Sequence, residues 1–235
     1  MTLPSLSSFD AVVMDLDGTL LDTLGDFAAA VQGMLSAMEL TGSMRPLSSA
    51  EIEPMVGKGS EHLIRSALAH VLQDHALQPR DASAELERLY APAWQAYQAC
   101  YARINGLNAQ VYPGVDQALA RLARLGLPAA CLTNKPVGFA RVLLERKGLL
   151  PAFAQVFGGD SFERKKPDPL PLLKTCEALG TLPHRTLMVG DSVNDALAAR
   201  AAGCPVVLVS YGYNHGKPIR SVDADGYVDS LAELA

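Results

Sequence analysis

Ala11-Val12-Val13-Met14-Asp15-Leu16-Asp17-Gly18-Thr19 decides the fold: a short, wholly apolar run breaks off into two carboxylates and a glycine. An uninterrupted apolar run of this length reads as a parallel strand buried on both faces. The same design returns at Ala129-Ala130-Cys131-Leu132 before Thr133-Asn134, and at Thr186-Leu187-Met188-Val189 before Gly190-Asp191. Pro205-Val206-Val207-Leu208-Val209 reads as a fourth strand and Gln155-Val156-Phe157 as a weaker fifth. Helical stripes lie between them: Val115, Ala118, Leu119, Leu122 and Leu125; Val137, Ala140, Leu143 and Leu144; Val193, Ala196, Leu197 and Ala201. Strand and helix alternate from about Val111 onward, which predicts an α/β fold with a doubly wound, Rossmann-like parallel sheet.

Residues 23–108 break that rhythm. They hold no convincing strand but three helical stripes: Phe27, Val31, Met34, Leu35 and Met38; Leu63, Ile64, Ala67, Leu68, Val71 and Leu72; Leu86, Leu89, Tyr90, Trp94 and Tyr97. The expected organisation is an α/β core, 1–22 and 109–235, with an all-helical cap, 23–108, inserted after the first strand. Ser43 to Ser49 and Asn105 to Pro113 carry the turn residues of connections.

Composition narrows the function. The 235 residues are 49% hydrophobic and 19% charged, enough apolar material for a sizeable core. Twenty Lys and Arg against 25 Asp and Glu leave a net charge of −5, so no global field draws the chain to nucleic acid or an anionic membrane. No Lys or Arg precedes Arg45, and no apolar run reaches the ~20 residues of a membrane span, so the expected compartment is the cytoplasm. Cys100, Cys131, Cys176 and Cys204 lack redox or zinc spacing and read as reduced core residues. The five histidines, 62, 70, 75, 184 and 215, also lack ligand spacing and read as surface or packing residues.

In open α/β sheets, ligands bind beyond the carboxyl ends of the strands. Asp15, Asp17, Asp191 and Asp195 are all delivered to that edge. A lone Asp after a strand is ordinarily a cap or turn residue, and Asp195 alone reads equally as an exposed first-turn acid. Arg164-Lys165-Lys166 alone reads as a solvated loop. Their coincidence at one edge is harder to explain that way. Crowded carboxylates repel, and a hard divalent cation with oxygen ligands, Mg²⁺, relieves them.

Asp15-x-Asp17-Gly18-Thr19, Leu132-Thr133-Asn134, Lys166-Pro167-Asp168-Pro169 and Gly190-Asp191-Ser192-x-x-Asp195, in that order, resemble the haloacid dehalogenase-like hydrolase superfamily. The resemblance implies a Mg²⁺-dependent phosphatase acting through an aspartyl-phosphate. Asp15 is then the nucleophile and Asp17 the acid and base, while Thr133 and the Asn134 backbone bind phosphoryl oxygens. Lys166, rather than Lys165, offsets their charge. The metal falls to Asp15, the Asp17 carbonyl, Asp191 and Asp195, the last directly or through water. Asp17 argues against a dehalogenase, because similar dehalogenases lack that second carboxylate.

Asp22-Thr23, Val56-Gly57-Lys58-Gly59, Thr133-Asn134-Lys135-Pro136 and Tyr211-Gly212-Tyr213-Asn214 further resemble the bacterial phosphoglycolate phosphatase branch. The implied partner is a small phosphate ester, 2-phosphoglycolate first, with neither nucleic acid nor membrane, and with a homodimer left open. A sugar-phosphate phosphatase, a pyrophosphatase, a phosphoglucomutase-like enzyme or a non-catalytic binding module are the alternatives. Substrate choice is expected in the cap, with Lys58 reading the carboxylate and Arg65 sharing its face if the following helix begins early enough.

Overall fold

The computed structural model describes residues 3–40, 47–74 and 79–234. Residues 43–46 of the expected connection, and His75, lie outside them. Strands β1 (Ala11–Met14), β2 (Leu21–Asp22), β3 (Gln110–Val111), β4 (Ala129–Leu132), β5 (Gln155–Phe157), β6 (Thr186–Gly190), β7 (Val206–Val209) and β8 (Gly226–Val228) form two sheets. The larger, in the order β5-β4-β1-β6-β7-β8, is parallel throughout. Central strands β1, β4, β6 and β7 are buried along their whole length, as their continuous apolar runs require.

The period of two along each strand sends alternate side chains into two separate cores. Val12, Met14, Cys131 and Val189 pack with α5 (Val115–Leu125) and α6 (Val137–Arg146) on one face. Val13, Ala130, Leu132 and Met188 pack with α7 (Leu170–Leu179) and α8 (Val193–Ala202) on the other. The expected stripe on α8 is corrected. Leu197 and Ala201 are exposed, and Ala196, Ala199 and Ala202 meet the sheet. Small side chains let this helix lie close to its strands, so its inner face carries no large residue for a periodicity argument to find.

Helices α1 (Leu24–Ala37), α2 (Ser49–Ile52), α3 (Ser60–Asp74) and α4 (Pro79–Ile104) all fall between β2 and β3. They have their own core, in which Phe27, Val31, Met34, Ile64, Leu68 and Tyr97 are buried, and α4 packs against both α1 and α3. Strands β2 and β3 pair antiparallel, Leu21 with Val111 and Asp22 with Gln110, so the chain leaves the sheet domain and returns to it at one ladder. Buried Asp26 accepts backbone hydrogen bonds from Gly106 at 2.5 Å and Asn108 at 2.8 Å, tying the start of α1 to the segment after α4.

Candidate active site

The sheet changes winding direction at β1, because the chain places β4 and β5 on one side and β6 to β8 on the other. Loops diverge from such a point and leave a crevice at the carboxyl ends of the strands. Asp15 follows β1, Thr133 follows β4 and Asp191 follows β6, so the crevice collects the expected residues.

Lys166 lies at their centre and is only 3% exposed. Its ammonium is 2.9 Å from Asp15 Oδ1 and donates hydrogen bonds to Asp195 Oδ1 and the Leu132 carbonyl, each at 2.7 Å. Burial alone would lower its pKa, but the Asp15 and Asp195 carboxylates outweigh that and raise it. It is therefore a fixed cation. Exposed Arg164 and Lys165 stay on the solvated loop.

Asp195 is fully buried, which corrects the reading of it as an exposed first-turn acid. Its Oδ2 accepts from the Ser192 hydroxyl at 2.7 Å and backbone N–H at 3.1 Å, closing a capping box at the start of α8. Asp191 accepts from the Thr19 hydroxyl at 3.1 Å and the Tyr213 N–H at 2.6 Å. Gly18 is required here. Its φ is +87°, and an added Cβ would come within 2.1 Å of Asp191 Oδ2.

Asp15, Asp191 and Asp195 each offer a carboxylate oxygen within 4.8 Å of the others. Burial, and then the neighbouring carboxylates acting against the Lys166 charge, push Asp15 up to about 7. The same two causes, burial foremost, raise Asp191 well above the carboxylate range. One ammonium does not balance three buried carboxylates. The all-oxygen donor set and the surplus negative charge suit a hard metal ion.

A cleft opens on this group between sheet and helical insertion, lined by Asp15, Asp17, Thr133, Asn134 and Lys135 from below and by Phe27, Val56, Gly57, Gly59, Ser60, Leu63 and Tyr101 from above. The Asn134 side-chain amide donates to the Lys166 carbonyl at 2.9 Å and the Gly57 carbonyl at 3.1 Å. Asn194 donates to the same Gly57 carbonyl at 3.3 Å. Thr133 Oγ1 accepts from the Lys135 N–H at 3.2 Å.

Lys58 is not brought into the group. Its side chain is exposed and is absent from the cleft lining, and its carbonyl accepts from Lys165 Nζ at 3.0 Å. Helix α3 begins at Ser60, so Lys58 and Arg65 do not share a helical face. Arg65 instead pairs with Glu61 and Glu87 and lies over the Tyr90 ring at 4.1 Å.

Two residues without an assigned role in the sequence reading are built into the site. Lys135 donates to both oxygens of Asp17, at 2.7 and 2.9 Å. The Tyr213 hydroxyl donates to Asp22 at 2.5 Å and accepts from the Thr23 and Leu24 N–H groups, joining the Asp191 loop to the start of the insertion. Both lie inside stretches quoted above for the branch resemblance. Their side chains reach elements distant in sequence, which spacing does not reveal.

Residues 9–203 match the family model of haloacid dehalogenase-like hydrolases. The chain is 41% identical to a phosphoglycolate phosphatase of Thiobacillus denitrificans, over 96% of this chain and 93% of that one. It is 42% identical to one of Nitrosospira multiformis, over 95% and 92%. A crystal structure from Haemophilus somnus, of a protein described as a predicted phosphoglycolate phosphatase, superposes with a TM-score of 0.86 at 29% identity, covering 97% of this chain and 96% of that one. The chain belongs to the haloacid dehalogenase-like hydrolase family. Within it the chain is a phosphoric monoester hydrolase, and no helix among the described residues is long and apolar enough to cross a membrane.

Proposed function

We propose that the protein hydrolyses 2-phosphoglycolate to glycolate and phosphate, with residues 1–22 and 109–235 as the catalytic core and 23–108 as the cap. The observation that carries this reading is the placing of two carboxyl groups, Asp15 and Asp17, in one cleft beneath the cap, with Lys166 fixed against the first. The names of relatives more than 40% identical over nearly the whole chain support the choice of substrate.

In the mechanism we assign, an Asp15 carboxylate oxygen attacks phosphorus, the bond from phosphorus to the glycolate oxygen breaks, and Asp17 gives that oxygen its proton. Asp17 then takes a proton from water, whose oxygen attacks the aspartyl-phosphate and releases phosphate and Asp15. Thr133 and the Asn134 N–H bind phosphoryl oxygens, and Lys166 offsets charge on Asp15 and on the phosphoryl group. Asp15, the Asp17 carbonyl and Asp191 would hold Mg²⁺, with Asp195 reaching it directly or through water. When bound, the ion supplies positive charge to the phosphoryl oxygens.

The test measures phosphate release from phosphoglycolate, sugar phosphates and pyrophosphate, with Mg²⁺ and with chelator. Phosphoglycolate should lead, in Mg²⁺ only. A sugar phosphate or pyrophosphate turned over faster overturns the substrate, and full activity in chelator overturns the metal.

A further inference from the structure

We propose that Lys135 is the residue that recognises the substrate's carboxylate, a specificity role that rests on the phosphoglycolate reading above and deepens it. In phosphoglycolate the carboxylate is one methylene away from the oxygen that leaves phosphorus. The group that protonates that oxygen must be within hydrogen-bond reach of it. A cation for the carboxylate therefore has to lie beside the catalytic acid, inside the cleft. Lys135 meets that condition, with its ammonium 2.7 Å from Asp17 Oδ1 and its side chain in the cleft lining. Lys166 does not, because its ammonium is held on the Asp15 side of the site, by hydrogen bonds to Asp195 and the Leu132 carbonyl and by the Asp15 carboxylate 2.9 Å away.

The surroundings of Lys135 fit an anion-binding cation rather than a structural ion pair alone. It is 5% exposed, and two of its N–H groups go to Asp17. The third meets no protein acceptor among the described residues. The ammonium is 4.4 Å from the centre of the Phe27 ring and 5.1 Å from that of Tyr101, both cap residues lining the cleft. Two aromatic faces hold a cation in place without neutralising it. The buried Tyr101 hydroxyl has no hydrogen-bond partner among the described residues, which leaves a donor unused in the same wall. A carboxylate entering there gains the ammonium and draws it partly off Asp17, freeing Asp17 for proton transfer.

The experiment compares kcat/KM for phosphoglycolate and for ethyl phosphate, which lacks the carboxylate, in the wild type, Lys135→Met and Lys58→Ala. Inhibition by 3-phosphonopropionate against propylphosphonate supplies a binding readout that requires no turnover, and denaturation curves check the fold of each variant. Loss of one charge-assisted hydrogen bond should lower the preference for phosphoglycolate about ten- to a hundredfold in Lys135→Met, chiefly through KM. The preference for the carboxylated inhibitor should fall in parallel. Lys58→Ala should change both preferences less. If Lys135→Met slows both esters by one factor and keeps the inhibitor preference, Lys135 acts through Asp17 alone and the proposal fails. The proposal fails equally if Lys58→Ala abolishes the preference instead. A wild type with no preference for phosphoglycolate overturns the substrate reading itself, a result read before any variant is compared.

Discussion

Asp195 uses its two carboxylate oxygens for different tasks: one takes the Lys166 ammonium at 2.7 Å, and the other caps helix α8. The helix start and the buried cation are thereby fixed by one side chain. Lys166→Met removes the only positive partner of Asp15 and Asp195 among the described residues. It should destabilise the protein by about 3–5 kcal/mol, the usual cost of leaving buried charge unpaired. Equilibrium urea unfolding measures this, and a change below about 1 kcal/mol would show that the carboxylates tolerate each other without the lysine.

Asp15→Asn should keep the fold and lose turnover by a factor on the order of 10³ or more, because an amide of nearly the same shape is a poor nucleophile. Wild-type phosphate release from a clean preparation would remove Asp15 from that role.

Asp17→Asn should slow both formation and breakdown of the aspartyl-phosphate, since one carboxyl serves both proton transfers. Rapid-quench kinetics with only one phase impaired would divide the acid from the base.

Metal and pH are linked through Asp15 and Asp191. Both titrate higher in the folded chain than in the unfolded one, so in chelator the unfolded state loses its protons first. Their contribution to stability is fullest below about pH 4, falls as the pH rises, and for Asp15 levels off above about 7. A divalent cation binds the ionised forms and should reverse that loss. At a hundredfold excess over Kd, Mg²⁺ should add about 2.7 kcal/mol, or roughly 5–11 °C in Tm, and the increment should shrink toward pH 5. Thermal melts with and without chelator across that range are the check, and a pH-independent increment would point to a different metal site.

Asp26→Ala strips two backbone N–H groups, those of Gly106 and Asn108, of their shared acceptor. Leaving the buried Gly106 donor unpaired should cost about 1–3 kcal/mol, and the Asn108 donor, on an exposed residue, less because water can reach it. Hydrogen exchange should show it at the base of the cap, with the sheet strands unaffected.

The sheet was legible wherever its strands were buried on both faces, because β1, β4, β6 and β7 then read as unbroken apolar runs. Gly226–Val228 gives no such signal, being three residues long at the sheet edge, and β2 and β3 have two residues each. Their pairing is set by the fold around them. Asp15, Thr133 and Asp191 were legible because each follows a strand directly, whereas Lys166, on the loop between β5 and α7, was singled out only by the family resemblance. Lys135 and Tyr213 were not legible, since the roles described for them depend on Asp17, 118 positions away in sequence, and on Asp22, 191 away. Cys176 and Cys204 come within 4.0 Å of each other in the same way, across 28 positions that carry no pairing motif.

The ladder of β2 and β3 brings the two ends of the cap together, with Asp22 opposite Gln110. A segment whose ends are hydrogen-bonded neighbours can be lengthened, shortened or exchanged without moving the strands that carry Asp15, Thr133 and Asp191. Descent can therefore act on the two parts separately. The sheet edge keeps its one reaction, while new leaving groups are tried by replacing everything between a pair of two-residue strands.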